Sequence, residues 1–173
     1  AWGFSFTDPT VLDSSMVDSL MQYVGYSKLK VDDGILKKEL PEIELDFNAI
    51  AQGYSSDMMA NFLSSKGIDN YLVDIGGEVI AKGCKPNGDH WVVGIEKPAE
   101  DKYSTQKVDV KIILDNMSLV TSGNYRKYYE NNGVKYSHTI NPFTGFPVSH
   151  TLLSVSVLSD KAWKADAMAT AFM

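Results

Sequence analysis

The stretch 71-YLVDIGGEVIAKG-83 decides which architecture the chain adopts. Tyr71, Leu72, Val73 and Ile75 are residue types that favour strands, and an apolar pattern resumes at Val79 and Ile80. Between them stands Gly76-Gly77, inside the strand or at its bend. The pair has two physical readings. It is a β-bulge or tight bend, or it leaves the backbone bare so that another chain segment or a flat ligand comes close and bare amides meet phosphate. The stretch lacks the GxGxxG spacing that opens a dinucleotide-binding crossover, so it does not begin a doubly wound sheet.

Upstream, 48-NAIAQGYSSDMMANFLSSKGIDN-70 begins as a loop and becomes a helix. Tyr54, Met58, Met59, Phe62 and Leu63 form one apolar face, and Gly67 closes the element. Ile43, Leu45 and Phe47 alternate with Glu44 and Asp46, the period of a half-buried strand. Leu29 and Val31 alternate before Asp33-Gly34, a hairpin turn, and Ile35 resumes the pattern. The spacing from Val11 to Val24 is helical, with Gly25 as its stop.

Downstream, residues 90–95 read as a strand ended by Pro98, and residues 99–106 as a polar connection. Val108, Val110 and Ile112 alternate, Asp115-Asn116 gives a turn, and Tyr125, Tyr128 and Tyr129 suggest a short helix. The segment 135-KYSHTINPFTGFP-147 runs from a strand into a turn-rich loop. Leu153, Val155 and Val157 share one strand face, and Asp160 is placed to cap a closing helix. The sum is an α+β fold, a mixed or antiparallel sheet with helices on one side, and not a regular βαβ series.

Composition narrows the function classes. The chain has 173 residues, 44% hydrophobic and 22% charged, which fits one globular domain. A net charge of −6 with no lysine or arginine stripe argues against a nonspecific nucleic-acid binder. Cys84 is the single cysteine, so no intrachain disulfide forms. No targeting segment or membrane-spanning run is visible, and the ends, Ala1 and an apolar helical pattern, read as cut from something longer.

Few residues offer chemistry. Asp166 and Thr170 are one helical turn apart and share a face, presenting a carboxylate and a neutral oxygen, donors that suit Mg²⁺. The bland alternative is an ordinary packed helix, since alanines 162, 165, 167, 169 and 171 let a neighbour come close. His138 stands at a strand end before a loop pinned by Pro142 and Gly145, placed for proton transfer near neutrality or for a structural role. The histidines at 90, 138 and 150 have no zinc-ligand spacing. Thr121, Ser122 and the amide of Gly123 hold phosphate oxygens or act as a helix N-cap. The GxSxG elbow of serine hydrolases is absent.

Taken in order, 45-LDFNAIAQGYSSD-57, 71-YLVDIGGEVIAKG-83, 120-VTSGNYRKYY-129, 136-YSHTINPFTGFP-147 and 165-ADAMATAF-172 resemble the ApbE family of FAD:protein FMN transferases. The resemblance implies a T-fold-like α+β core that splits FAD at its pyrophosphate, esterifies FMN to a threonine of a target protein and releases AMP. It implies Mg²⁺ held by Asp166, Thr170 and the backbone carbonyl of Ala51. His138 matches the histidine near the reaction centre, proposed as the base for the acceptor hydroxyl. Asp46, Gln52, Gly53 and Asp57 fall in the first motif, Gly76 and Gly77 approach the flavin nucleotide, and Thr121, Ser122 and Gly123 line the same pocket. Gln52 stands where lysine is the more frequent family residue.

The acceptors implied are flavin-bearing subunits of membrane redox pumps. The implied location is the periplasmic face of the cytoplasmic membrane, after export and with a lipid anchor on the full-length form. Family proteins are close to twice as long, so residues 1–173 read as a catalytic core lacking an N-terminal portion and a short C-terminal part. FAD hydrolysis to FMN and AMP, and a non-catalytic flavin-binding module, are the alternatives.

Overall fold

The structure is a computed structural model that describes residues 13–97, 108–124, 128–131 and 134–173. In chain order its elements are α1 (Ser14–Met21), β1 (Leu29–Asp32), β2 (Ile35–Lys38), α2 (Ala51–Ser65), β3 (Tyr71–Ile75) and β4 (Glu78–Lys82). There follow β5 (Trp91–Glu96), β6 (Val108–Leu114), β7 (Ser118–Gly123), β8 (Tyr128–Asn131), β9 (Val134–Ser137), β10 (Ser154–Ser159) and α3 (Ala162–Phe172). They belong to two compact units, Ala1–Asp46 with Lys127–His150, and Phe47–Arg126 with Thr151–Met173.

The second unit is built on a four-stranded sheet of order β10-β7-β4-β3. Its pairings are all antiparallel. The stretch 71–83 is a hairpin: Val73 pairs with Ile80, and Gly76-Gly77 is the two-residue turn. Both glycines take positive φ, 72° and 109°, as a tight hairpin turn demands, and the Gly77 amide donates to Asp74 Oδ1 at 2.9 Å.

β4 is buried from Glu78 to Ala81 because both sheet faces are covered. With a period of two, Val73 and Ile80 meet Ala60 of α2 and Ala162 of α3. Val79, Ala81 and Leu119 point the other way, onto Leu114 of the β5–β6 pair. Each of the buried valines, leucines and isoleucines contributes about 1.5–3 kcal/mol by leaving water. Val120 and Ala165 extend the helix-side core under α3. The expected sheet with helices on one side is present, and the antiparallel pair β5–β6 covers its other side.

α2 reverses one expectation. Its buried residues are Gly53, Ser56, Asp57 and Ala60, while Tyr54, Met58, Met59 and Phe62 are exposed and only Leu63 of the expected face packs inward. The cause is close helix contact. A Cβ on Gly53 would stand 2.5 Å from the Ala162 carbonyl oxygen, so only small residues fit along this line.

Three other expectations are corrected. Residues 43–47 form no strand although Ile43 is buried, because no ladder partner lies alongside them among the described residues and Lys38 Nζ takes the Ile43 carbonyl at 2.8 Å. Tyr128 and Tyr129 are not helical: they belong to β8, paired with β9. Asp160 does not cap α3; its Oδ1 accepts the Ser159 hydroxyl at 3.1 Å, and Lys161 occupies the cap position. Val11, Leu12, residues 99–106 and Tyr125 lie outside the described residues.

In the first unit, Asp13 caps α1 by accepting the Met16 amide at 2.8 Å. Asp33 and Gly34, at φ 49° and 75°, make the expected β1–β2 turn. The loop after His138 closes through an Ile140–Pro147 bridge, and Gly145 packs on Val17 and Met21 of α1.

Candidate functional site

Asp166 is buried at the junction of α2 and α3, in line with Ala162, Ala165 and Ala169. Its Oδ2 accepts the amide of Gly53, in the first turn of α2, at 3.0 Å. An amide there has no partner within its own helix, and the dipole of α2 favours the negative charge. The converse contact comes from Asp57, whose Oδ1 and Oδ2 accept the Ala162 and Trp163 amides at 3.1 and 2.9 Å. Neither helix has a side-chain cap of its own at Ile50 or Lys161. Each therefore caps the other.

Thr170 lies one turn beyond Asp166, and its hydroxyl is 3.4 Å from that of Ser122 on β7. Alternation places Thr121 on the opposite sheet face, where its hydroxyl meets Ser156 on β10 at 2.7 Å. Gly123 closes β7 opposite Ser154. Ala51 begins α2, and its carbonyl accepts the Ser55 hydroxyl at 2.8 Å in addition to the helical bond from the Ser55 amide. Gln52 extends its amide over Gly76, so a side chain at Gly76 would collide with Gln52 Nε2.

Glu78 joins this group and was missed in the sequence. It shares the helix-facing side of β4 with Ile80, is 9% exposed, and its Oε2 has no hydrogen-bond partner. The same oxygen is 3.3 Å from the position of a Cβ on Gly76. Its backbone carbonyl accepts the Ser56 hydroxyl at 2.7 Å, tying β4 to α2. Burial pushes the Glu78 carboxyl above its ordinary value, and the neighbouring Asp166 charge adds to that rise. Burial likewise raises Asp166, offset in part by the Gly53 amide. The available signal was an acid heading the apolar run Val79-Ile80-Ala81 of β4.

The oxygens of Asp166, Glu78, Thr170 and Ala51 are hard donors that fit Mg²⁺, which takes one or two carboxylates and fills its shell with water or substrate phosphate. Among the described residues no group of three or more histidine, cysteine or acidic side chains could hold a metal by itself, so a zinc-type cage is not present there. Asp46 and His138 belong to the first unit. His138 is half-buried, directly after β9.

Fold and site together define an α+β protein with hard-oxygen donors gathered where two helices meet an antiparallel sheet. The chain belongs to the ApbE family, which matches it over residues 1–173. It is 38% identical to the FAD:protein FMN transferase of Vibrio cholerae serotype O1 over 99% of its own length and 51% of that protein's. The Escherichia coli K12 protein of the same name is 34% identical, across 99% of this chain and 50% of its own. Among solved structures, the apo flavinyl transferase ApbE of Pseudomonas stutzeri superposes with a TM-score of 0.84 at 36% identity, covering 98% of this chain and 51% of that one. The ApbE protein of Thermotoga maritima gives 0.85 at 28% identity, covering 98% and 54%. The chain thus spans about half the length of these relatives.

Proposed function

We propose that this chain carries the phosphate-splitting centre of an FAD:protein FMN transferase. The observation that carries the reading is the Asp166–Thr170 pair at the α2–α3 junction, beside the bare Gly76-Gly77 turn, in a chain whose curated relatives are FAD:protein FMN transferases. In the reaction, the hydroxyl oxygen of an acceptor threonine forms a bond to the FMN phosphorus of FAD. The bond from that phosphorus to the bridging oxygen breaks, AMP leaves with the oxygen, and the hydroxyl proton passes to a base.

Mg²⁺, when bound, neutralises charge on the pyrophosphate and the leaving AMP. Asp166, Thr170 and the Ala51 carbonyl are the residues to hold it. Asp166 is fixed for that task by the Gly53 amide, which stops its carboxylate from turning away. Gln52, the Gly76 amide and the side-chain-free backbone at Gly77 are proposed to meet the nucleotide, with Ser122 and Gly123 at the end of β7. Thr121, from the opposite side of β7, would act through the strand end. Asp57 supports the site by holding the first turn of α3. His138 is the proposed base for the threonine hydroxyl, and Asp46 a contributor from the first motif.

The acceptor is proposed to be a flavoprotein presenting its threonine on a loop, as in a subunit of a membrane redox pump. Export to the periplasmic face of the cytoplasmic membrane, with a lipid anchor on the longer protein, belongs to the same proposal. No described helix is long and apolar enough to cross a membrane.

Product analysis tests the reaction class. With FAD, Mg²⁺ and an acceptor domain, transfer releases AMP without equivalent free FMN. Release of both AMP and free FMN whether or not the acceptor is present would replace transfer by FAD hydrolysis.

A further inference from the structure

Glu78 has a position that packing does not explain. It is an acid in the most enclosed strand of the sheet, nine-tenths buried, with Oε2 sealed from water and lacking any hydrogen-bond partner. A carboxylate removed from water is strongly disfavoured unless something replaces its hydration. Among the described residues neither Glu78 nor Asp166 forms an ion pair, although Lys37, Lys82 and Lys164 each pair with an acid elsewhere. Two acids, one from the sheet and one from a helix, thus lie close enough to feel each other's charge with no cation from the described residues paired to either. A Cβ on Gly76 would stand 3.3 Å from Glu78 Oε2 and against the Gln52 amide, and the Ser122 and Thr170 hydroxyls lie on the same side of the sheet as Glu78.

We infer that Glu78 is a further cation-binding residue, its Oε2 and the Asp166 carboxylate taking a divalent cation between β4 and α3. The inference rests on the proposed function for what the cation does, but not for whether it binds. Glu78 adds a second negative charge to that of Asp166, and it does so from the strand that begins at the Gly76-Gly77 turn. A cation there lies between the sheet and the proposed nucleotide site. Simple protonation of Glu78 is the competing account: it satisfies the buried oxygen without any metal.

Binding of Mn²⁺ alone to the 173-residue chain, read by electron paramagnetic resonance with no flavin present, separates the two. Glu78→Gln keeps the shape and removes the charge. It is expected to weaken Mn²⁺ binding by at least about tenfold, as Asp166→Asn is also expected to, and to lose the rise in Tm expected of the unsubstituted chain with Mn²⁺. Glu78→Asp is expected to recover part of the affinity. A metal-free Tm at or above the unsubstituted value shows that Glu78→Gln is folded. Unchanged Mn²⁺ affinity in Glu78→Gln, or no Mn²⁺ binding by the unsubstituted chain, would overturn the inference. Transfer of FMN is scored separately, so loss of cation binding without any transferase activity would uphold this site while removing the functional reading.

Discussion

Asp57 of α2 and Asp166 of α3 each place a carboxylate on the N-terminal amides of the other's helix, at 2.9–3.1 Å. The exchange fixes the two helices in register without a cap in either local sequence. It also places Asp166 beside β4, where Glu78 and the Gly76-Gly77 turn lie.

Asp57→Ala removes the acceptor for two amides at the start of α3. A lost N-cap costs about 1–2 kcal/mol, and leaving buried amides unpaired adds to that. Urea unfolding is expected to show the loss, and hydrogen exchange at Ala162 and Trp163 to quicken. Unchanged stability and unchanged exchange would mean that the cross-cap is dispensable.

Gly53→Ala tests the close helix contact. In an isolated helix this change gains about 1 kcal/mol. Here the new methyl meets the Ala162 carbonyl carbon at 2.7 Å and its oxygen at 2.5 Å. Overpacking against backbone costs about 1–3 kcal/mol, so a net loss is expected in chemical denaturation. A net gain would contradict the packing described.

The outer face of α2 gives the opposite result. Met58→Lys and Phe62→Lys change side chains that are 50% and 55% exposed, and each is expected to shift stability by no more than about 0.5 kcal/mol. Leu63→Ala, beside the Ala60 and Val73 cluster, is expected to lower it clearly in the same urea series.

Acid–base linkage at Glu78 has a definite sign. Its folded carboxyl holds a proton above the ordinary glutamate value of 4.5, chiefly through burial and then through Asp166. The native state therefore binds more protons than the unfolded chain over that window, so this contribution is complete below 4.5 and is lost as pH rises through the folded value. In chelator-treated protein, Tm measured from about pH 4 to 8 is expected to fall less steeply for Glu78→Gln than for the unsubstituted chain. Parallel curves would contradict the assignment.

What the sequence discloses follows from the range of the forces involved. The Asp33-Gly34 hairpin, the strand alternation and the Asp166–Thr170 spacing are local patterns, and each was readable. The inverted face of α2 was not, because Gly53 and Ala60 are buried by a helix more than 100 residues away, and hydrophobic periodicity favours large side chains over small ones. Asp160 looked like the cap of α3 because it is adjacent, while the acceptor that reaches those amides is Asp57. Glu78 stayed unassigned because the one local signal, an acid heading Val79-Ile80-Ala81, does not say which way its side chain is enclosed. Spacing alone favoured a packed helix over a magnesium pair at Asp166 and Thr170, and the family resemblance is what made that pair a proposed site.

The central claim is transfer of FMN to protein, and intact mass of an acceptor domain tests it most directly. The complete family domain carrying these residues is incubated with FAD, Mg²⁺ and an acceptor presenting its threonine. The account predicts a gain equal to one esterified FMN, absent without metal, absent with Asp166→Ala and absent when the acceptor threonine is replaced. An unmodified acceptor, with the enzyme folded and FAD intact or hydrolysed, would contradict it.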